Sequence, residues 1–330
     1  MPVLSGDDAA QVEAAAERLA AGALVALPTE TVYGLGARAD DEAAVARIFE
    51  AKGRPSDHPL IVHVADAQGA AAFAAELSAL AQRLIGAFWP GPLTIIVPRR
   101  PGLARAAAGG QDSIGLRCPA HPVAHALLVA AARRGVPGVA APSANRFGRV
   151  SPTTAAHVRD EFGDDLLVLD GGPCAVGIES TIVDCTRAEP VLLRPGILTR
   201  EQIEAVAGMP LRDRDAAAPR ASGTLEAHYA PRAKVRLMAP AVLQQAMGAL
   251  PADIGGMGLA VYSRSARPPA WPAAVLHRRM PADAAAAAQE LFSVLRDLDT
   301  RGAQLIWVEQ PPADPEWEGV RDRLQRASAA

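Results

Sequence analysis

Gly138-Val139-Ala140-Ala141-Pro142-Ser143-Ala144-Asn145 is the stretch on which the fold reading turns. Four small apolar residues are too short a run for a helix and read as a buried strand, which Pro142 closes. Ser143 and Asn145 stand one residue apart, so on extended backbone their side chains point the same way. Arg146, Arg149 and Ser151-Pro152-Thr153 follow before a helical pattern resumes. A buried strand that ends in a polar loop and feeds a helix is the unit of an α/β sheet, and ligands collect at the C-terminal edge of such sheets. Asn145 is the only asparagine in 330 residues, and Lys52 is one of two lysines against 31 arginines. A lysine kept in a chain that otherwise uses arginine for charge points to a geometric requirement, because the two differ in size, hydration and donor layout.

Working outward, Ser5 reads as the cap of a helix that runs to about Ala21, with Gly22 as its stop. A buried strand is expected at 23–27. Asp40 or Asp41 opens a second helix with Val45, Ile48 and Phe49 on its apolar face, and Gly53 ends it. Strands are predicted at 60–64, 93–97, Ser113–Arg117, 138–141, 166–170, 180–184 and Val191–Arg194, and helices at 81–88, 122–134, 153–162 and 199–206. The fold class is therefore α/β, a twisted mixed sheet with helices on its faces. From Met209 the chain turns charged and rich in Ala, Pro, Gly and Ser, the composition of a linker. After Pro231, strands at Lys234–Met238, Leu259–Ser263 and 304–309 alternate with helices at 241–249, 283–297 and 317–326, which predicts a small parallel Rossmann-like sheet. The expected organisation is a main domain over 1–208, a linker over 209–232 and a small domain over 233–330.

Composition narrows the function. Half the residues are hydrophobic, aromatics are 4%, and the formal net charge is −3 with mixed signs throughout. Neither a basic field nor a supply of stacking rings marks a nucleic-acid binder. Three cysteines without C-x-x-C spacing argue against a disulfide framework or a zinc site, and no metal-ligand set is expected. No basic stretch leads into an apolar run at the N-terminus and no apolar run nears eighteen residues, so a cytoplasmic protein without membrane association is expected.

Two further segments carry chemistry. Lys52-Gly53-Arg54 puts two cations at the mouth of a loop that Pro55 and Pro59 stiffen, an arrangement suited to a polyanion but also to a helix C-terminus. Gly34-Leu35-Gly36-Ala37-Arg38-Ala39 matches the loose dinucleotide fingerprint, yet it neither follows a strand directly nor opens a helix, and it is set aside. No phosphate-loop motif occurs, so a nucleotide would be held by side chains.

Taken together, Thr29-Glu30-Thr31-Val32-Tyr33-Gly34-Leu35, Lys52-Gly53-Arg54-Pro55, Pro142-Ser143-Ala144-Asn145 and Glu179-Ser180-Thr181-Ile182-Val183-Asp184 resemble the YrdC-type domain in motif and order. With His228-Tyr229-Ala230-Pro231 and the small C-terminal unit, the chain is similar to the two-domain threonylcarbamoyl-AMP synthases. The resemblance implies adenylyl transfer: L-threonine, bicarbonate or CO2, and ATP with Mg2+ give threonylcarbamoyl-adenylate and pyrophosphate. The product would pass to a transferase that modifies tRNA position 37. It further implies that Thr31, His63, Arg117, Ala141 and Ser180 contact threonine. Lys52, Arg54, His58, Ser113, Ser143, Asn145, Ser151, Arg194 and Tyr229 would contact ATP, with Lys52, Arg54, Ser143 and Asn145 at the reacting phosphates. His58 stands where the family usually has Asn. The 209–232 linker would act as a lid, Tyr229 closing on the nucleotide. Two other readings of the same cavity are an RNA chaperone, which the scarce aromatics disfavour, and a carbamoyltransferase-type maturation factor, which needs zinc-finger cysteines the chain lacks.

Overall fold

The computed structural model describes residues 3–251, 256, 258–266 and 274–330, which form two compact units. The first takes the described residues up to Phe147 together with Ser151–Thr224, and the second takes Gly148–Val150 with Leu225–Ala330. The division falls at Thr224, inside the stretch expected as a linker. Residues 209–224 belong to the first unit and 225–232 to the second.

In chain order the first unit begins with β1 (Val3–Ser5), α1 (Ala9–Ala20), β2 (Val25–Leu27), β3 (Gly34–Arg38), α2 (Glu42–Lys52), β4 (Ile61–His63), α3 (Ala67–Phe73) and α4 (Ala79–Phe88). It continues with β5 (Leu93–Pro98), β6 (Ser113–Arg117), α5 (Pro122–Arg133), β7 (Val139–Ala140), α6 (Ala155–Phe162), β8 (Leu167–Asp170), β9 (Thr181–Asp184), β10 (Val191–Arg194), α7 (Arg200–Ala207) and β11 (Arg212–Asp213). The eleven strands form one mixed sheet in the order β1-β8-β2-β3-β7-β4-β6-β5-β9-β10-β11. Its β4–β6 and β5–β9 pairs are parallel, and its β5–β6 and β4–β7 pairs antiparallel.

Local chemistry explains the helix ends. Asp41 accepts the backbone N–H groups of Ala43 and Ala44 at the start of α2, and Gly53, at φ 63°, closes it in the left-handed region. Thr199 and Gln202 form a reciprocal capping box on α7. Ser5 is not the cap of α1: Asp8 accepts from Ala10, while Val3–Ser5 pairs with β8. A three-residue strand has no periodicity to announce it. The glycine-rich stretch set aside as a false fingerprint is β3, an inner strand whose glycines let neighbours close in. A Cβ on Gly36 would lie 2.8 Å from a Leu27 methyl and 2.9 Å from one of Val139.

The two faces of the sheet differ, and that difference positions the site. Val62, Ile95, Leu116 and Val183 point into the large core with Leu35, Val45 and Ile48. On the other face Ile61, Ile96, Ile182, Val191 and Leu193 form a small cluster, and Ala218 and Ala221 of the 209–224 segment pack against it. That segment is thus folded onto the first unit rather than free. Leu211 is buried, β11 pairs with β10, and Arg187 holds the Asp215 carboxylate at 2.8 and 3.0 Å.

The second unit contains β12 (Lys234–Met238), α8 (Pro240–Gly248), β13 (Leu259–Ser263), β14 (Leu276–Arg279), α9 (Ala284–Thr300), β15 (Leu305–Glu309) and α10 (Glu318–Ser328). Its four strands run parallel in the order β12-β15-β13-β14, the small Rossmann-like sheet the alternation predicts, with β14 as an added edge strand. No helix among the described residues is long and apolar enough to cross a membrane.

Candidate active site

Three polar side chains stand in one row across the covered face. His63 of β4 is in register with Arg117 of β6. Continuing the β5–β6 register one residue beyond Ile95 and Leu116 sets Thr94 opposite Arg117. Residues directly opposite one another share a face, so His63, Arg117 and Thr94 look the same way, above Ile61, Gly115 and Ile96. Gly115 keeps this face open at its centre, since a Cβ there would meet the Ile96 and Ile61 side chains.

Arg117 is 3% exposed and fixed on three sides. Its Nε donates to the Gly91 carbonyl at 3.2 Å, Nη1 donates to Thr31 Oγ1 at 2.7 Å, and Nη2 lies 2.6 Å from Glu30 Oε1. Thr29 supports the arrangement: its hydroxyl lies 2.9 Å from that of Thr31 and donates to the Val32 carbonyl at 2.6 Å. Burial, the largest influence, would raise the Glu30 pKa, but the adjacent guanidinium and the backbone N–H groups of Ala120 and Glu30 together outweigh it and hold the carboxyl below its ordinary value. His63 is pushed down to about 3, first by burial and then by the charge of Arg117, so it is a neutral imidazole. Ala141 ties the neighbouring loop to this row by donating its N–H to the Ile61 carbonyl at 2.9 Å. The expected threonine contacts Thr31, His63, Arg117 and Ala141 are therefore brought together.

Ser180 joins them through Thr94. The two hydroxyls are 2.8 Å apart, and Arg194 donates to the Ser180 hydroxyl at 3.1 Å and to its carbonyl at 2.9 Å. The same guanidinium donates to the Ser222 carbonyl at 3.0 Å. Arg54 donates to the Pro59 carbonyl at 3.0 Å and lies 3.5 Å from the Ser222 hydroxyl, its guanidinium over the Phe147 ring. His58 packs on Phe147 from another side, with its pKa lowered by burial and by Arg54. By alternation Ser113 shares the face of Arg117, in a cleft that Gln111, Ile182, Arg220, Ala221 and Ser222 also line. The 209–224 segment thus reaches the residues expected to hold ATP.

Lys52 is 2% exposed and donates to the carbonyls of Ser143 at 2.6 Å and Asn145 at 2.5 Å. Burial, then the Arg54 charge, drives its pKa well below the ordinary lysine value. An arginine could not place one small donor between two carbonyls, which accounts physically for a lysine here. Asn145, also buried, donates from its amide to the Arg146 carbonyl at 2.7 Å. Ser151 donates to Glu179 at 2.5 Å beneath the same loop. Tyr229 belongs to the second unit, stacked on Phe292 at 5.5 Å with Arg323 over its ring, and holds φ 61°.

Sequence reasoning did not name Glu30, Thr94, Glu179 or Ser222 as site residues. Glu30 and Glu179 lie inside the quoted motifs, and that membership was the available signal. Thr94 and Ser222 carried none, because only strand register and the path of the linker bring them in.

A mixed sheet with a cationic, partly covered face, followed by a small parallel sheet, defines a two-unit YrdC-type protein. The family model described as "Telomere recombination" matches residues 17–196, and that described as "Threonylcarbamoyl-AMP synthase, C-terminal domain" matches 198–329. The chain belongs to this family. It is 37% identical to the threonylcarbamoyl-AMP synthase of Bacillus subtilis, over 96% of this chain and 93% of that one. It is 45% identical to the synthase of Pyrococcus abyssi over 68% of this chain and 67% of that one. The crystal structure of P. abyssi Sua5 complexed with L-threonine superposes with a TM-score of 0.89 at 36% identity, covering 99% of this chain and 98% of that one.

Proposed function

We propose that this chain is an L-threonylcarbamoyladenylate synthase, joining L-threonine, bicarbonate or CO2, and ATP into threonylcarbamoyl-AMP with release of pyrophosphate. The observation that carries the reading is the row His63–Arg117–Thr94 with Thr31 and Ser180. It is a buried cluster that gathers one fixed guanidinium suited to a carboxylate, two hydroxyls suited to a third polar group, and a neutral imidazole. The threonine-bound relative supports the same ligand here.

Attack of the carbamate oxygen on the α-phosphate asks for alignment and charge neutralisation more than for a protein base. Arg54 and Arg194 flank the cleft and are the proposed phosphate cations. Lys52 fixes the Ser143–Asn145 loop against them by its two carbonyl contacts. Among the described residues no three His, Cys, Asp or Glu side chains converge as a metal cage. Mg2+ is proposed to arrive with the nucleotide, as MgATP. A site that hydrogen-bonds the β-hydroxyl would reject analogues that lack it. The product would be consumed by a tRNA-modifying transferase. The test is chemical: incubation with ATP, L-threonine and labelled bicarbonate, then separation of the nucleotides. Label in an adenylate whose mass equals threonylcarbamoyl-AMP is expected; label recovered only as bicarbonate would overturn the proposal.

A further inference from the structure

Glu30 presents a problem that the threonine pocket raises but does not solve. It is 7% exposed and its Oε1 lies 2.6 Å from Arg117 Nη2, yet neither carboxylate oxygen has an aligned hydrogen bond. The Arg117 guanidinium and the nearby Ala120 N–H stabilise its charge at close range, outside good hydrogen-bond alignment. A buried carboxylate with open lone pairs is costly unless a donor arrives. Now let a carboxylate ligand dock on Arg117. Two carboxylates would then share one guanidinium, and their repulsion in a buried site has to be met by a further positive charge. The side chains facing Glu30 supply none: His63 and His121 are held toward the neutral form, Cys118 and Cys174 toward the thiol, and Arg117 is shared.

On the reading that the ligand is threonine, we infer that Glu30 receives the substrate's α-ammonium while Arg117 receives its carboxylate, so the pocket selects a zwitterion. The ammonium brings both missing things, a positive charge and donors for the open oxygens. Glu30 is then a substrate-binding residue in its own right, separate from any role in orienting Arg117. An acid carrying the same hydroxyl and carboxylate but no amine would leave Glu30 facing a carboxylate with no positive charge between them.

The two roles separate with a pair of ligands, L-threonine and (2S,3R)-2,3-dihydroxybutanoate, in which a hydroxyl replaces the amine. Calorimetric Kd values are measured for both with the full chain, Glu30→Gln and Glu30→Asp. The glutamine keeps volume and hydrogen-bonding capacity while removing charge, and the aspartate keeps charge while shortening reach. The wild-type chain should prefer threonine strongly. Glu30→Gln should bind threonine about 10- to 100-fold more weakly, the scale of one charge-assisted hydrogen bond. It should bind the dihydroxy acid as well as wild type or better. Glu30→Asp should keep a measurable preference for threonine, which holds the test open if the glutamine variant does not fold. Equal weakening of both ligands would show that Glu30 acts only through Arg117 and would overturn the assignment. No threonine binding by the wild-type chain would instead overturn the proposed function on which it rests.

Discussion

Acidification from about pH 7.5 to about pH 5.0 should weaken the first unit through His63. Its folded pKa is about 3, against an ordinary value of 6.5, because burial and the Arg117 charge disfavour the imidazolium. As pH falls below 6.5 the unfolded chain takes up a proton while folded His63 stays neutral. The unfolded state then binds more protons, so stability falls with pH. The contribution is fully present above 6.5 and drains away toward 3. At pH 5 the unfolded side chain lies about 1.5 pH units below its own pKa, which converts to a loss of ~2 kcal/mol. Of the four tryptophans only Trp89 lies in the first unit. Urea unfolding is therefore followed at Trp89 in a background with Trp271, Trp307 and Trp317 replaced by Phe, with and without His63→Gln. His58 and His121 titrate in both proteins, so the difference between the two pH responses isolates His63. The protein that keeps His63 should lose ~2 kcal/mol more between the two pH values. Equal responses would refute the neutral, desolvated imidazole.

Lys52→Met removes the donor shared by the Ser143 and Asn145 carbonyls. It should lower stability by ~1–3 kcal/mol and cut pyrophosphate release at least ~100-fold; differential scanning calorimetry and a coupled assay check both, and an unchanged Tm would deny the pinning role. Arg117→Ala should raise the KM for threonine with little change for ATP, and Arg194→Ala should do the reverse. A rise for ATP alone in both variants would contradict the division of the site. Gln111 holds the backbone of Arg220 from both sides, accepting from its N–H at 2.8 Å and donating to its carbonyl at 3.1 Å. Gln111→Ala should therefore speed tryptic cleavage after Arg220 about 5- to 30-fold, as expected from one or two lost hydrogen bonds. An unchanged rate would show that other contacts retain the segment.

The sequence made most elements legible because their ends are chemical. Asp41, Gly53, Thr199 and Asp283 are caps, and Ser113–Arg117 and Val191–Arg194 were placed at their true bounds because β-rich apolar runs stop at charged residues. Strand β1 and helix α3 were illegible for lack of period, and β3 was masked by glycines that β propensity disfavours. The Met209–Thr224 stretch read as a linker because its composition is polar and small. Its attachment to the first unit rests on ion pairs such as Arg187–Asp215 between residues 28 apart, which composition does not encode. In the site, motifs located Lys52 and Ser180, and the family resemblance pointed to Arg117. That Lys52 meets carbonyls, and that Thr94 links Ser180 to the Arg117 row, follows only from strand register and chain path.

Pyrophosphate release from ATP by the purified chain, measured with each co-substrate omitted in turn, tests the central claim most directly. The account predicts release only when an amino-acid substrate and bicarbonate are both present, and much slower release when 2-aminobutanoate, which lacks the hydroxyl, replaces L-threonine at equal concentration. Release that proceeds without an amino acid, or is indifferent to bicarbonate, would contradict it.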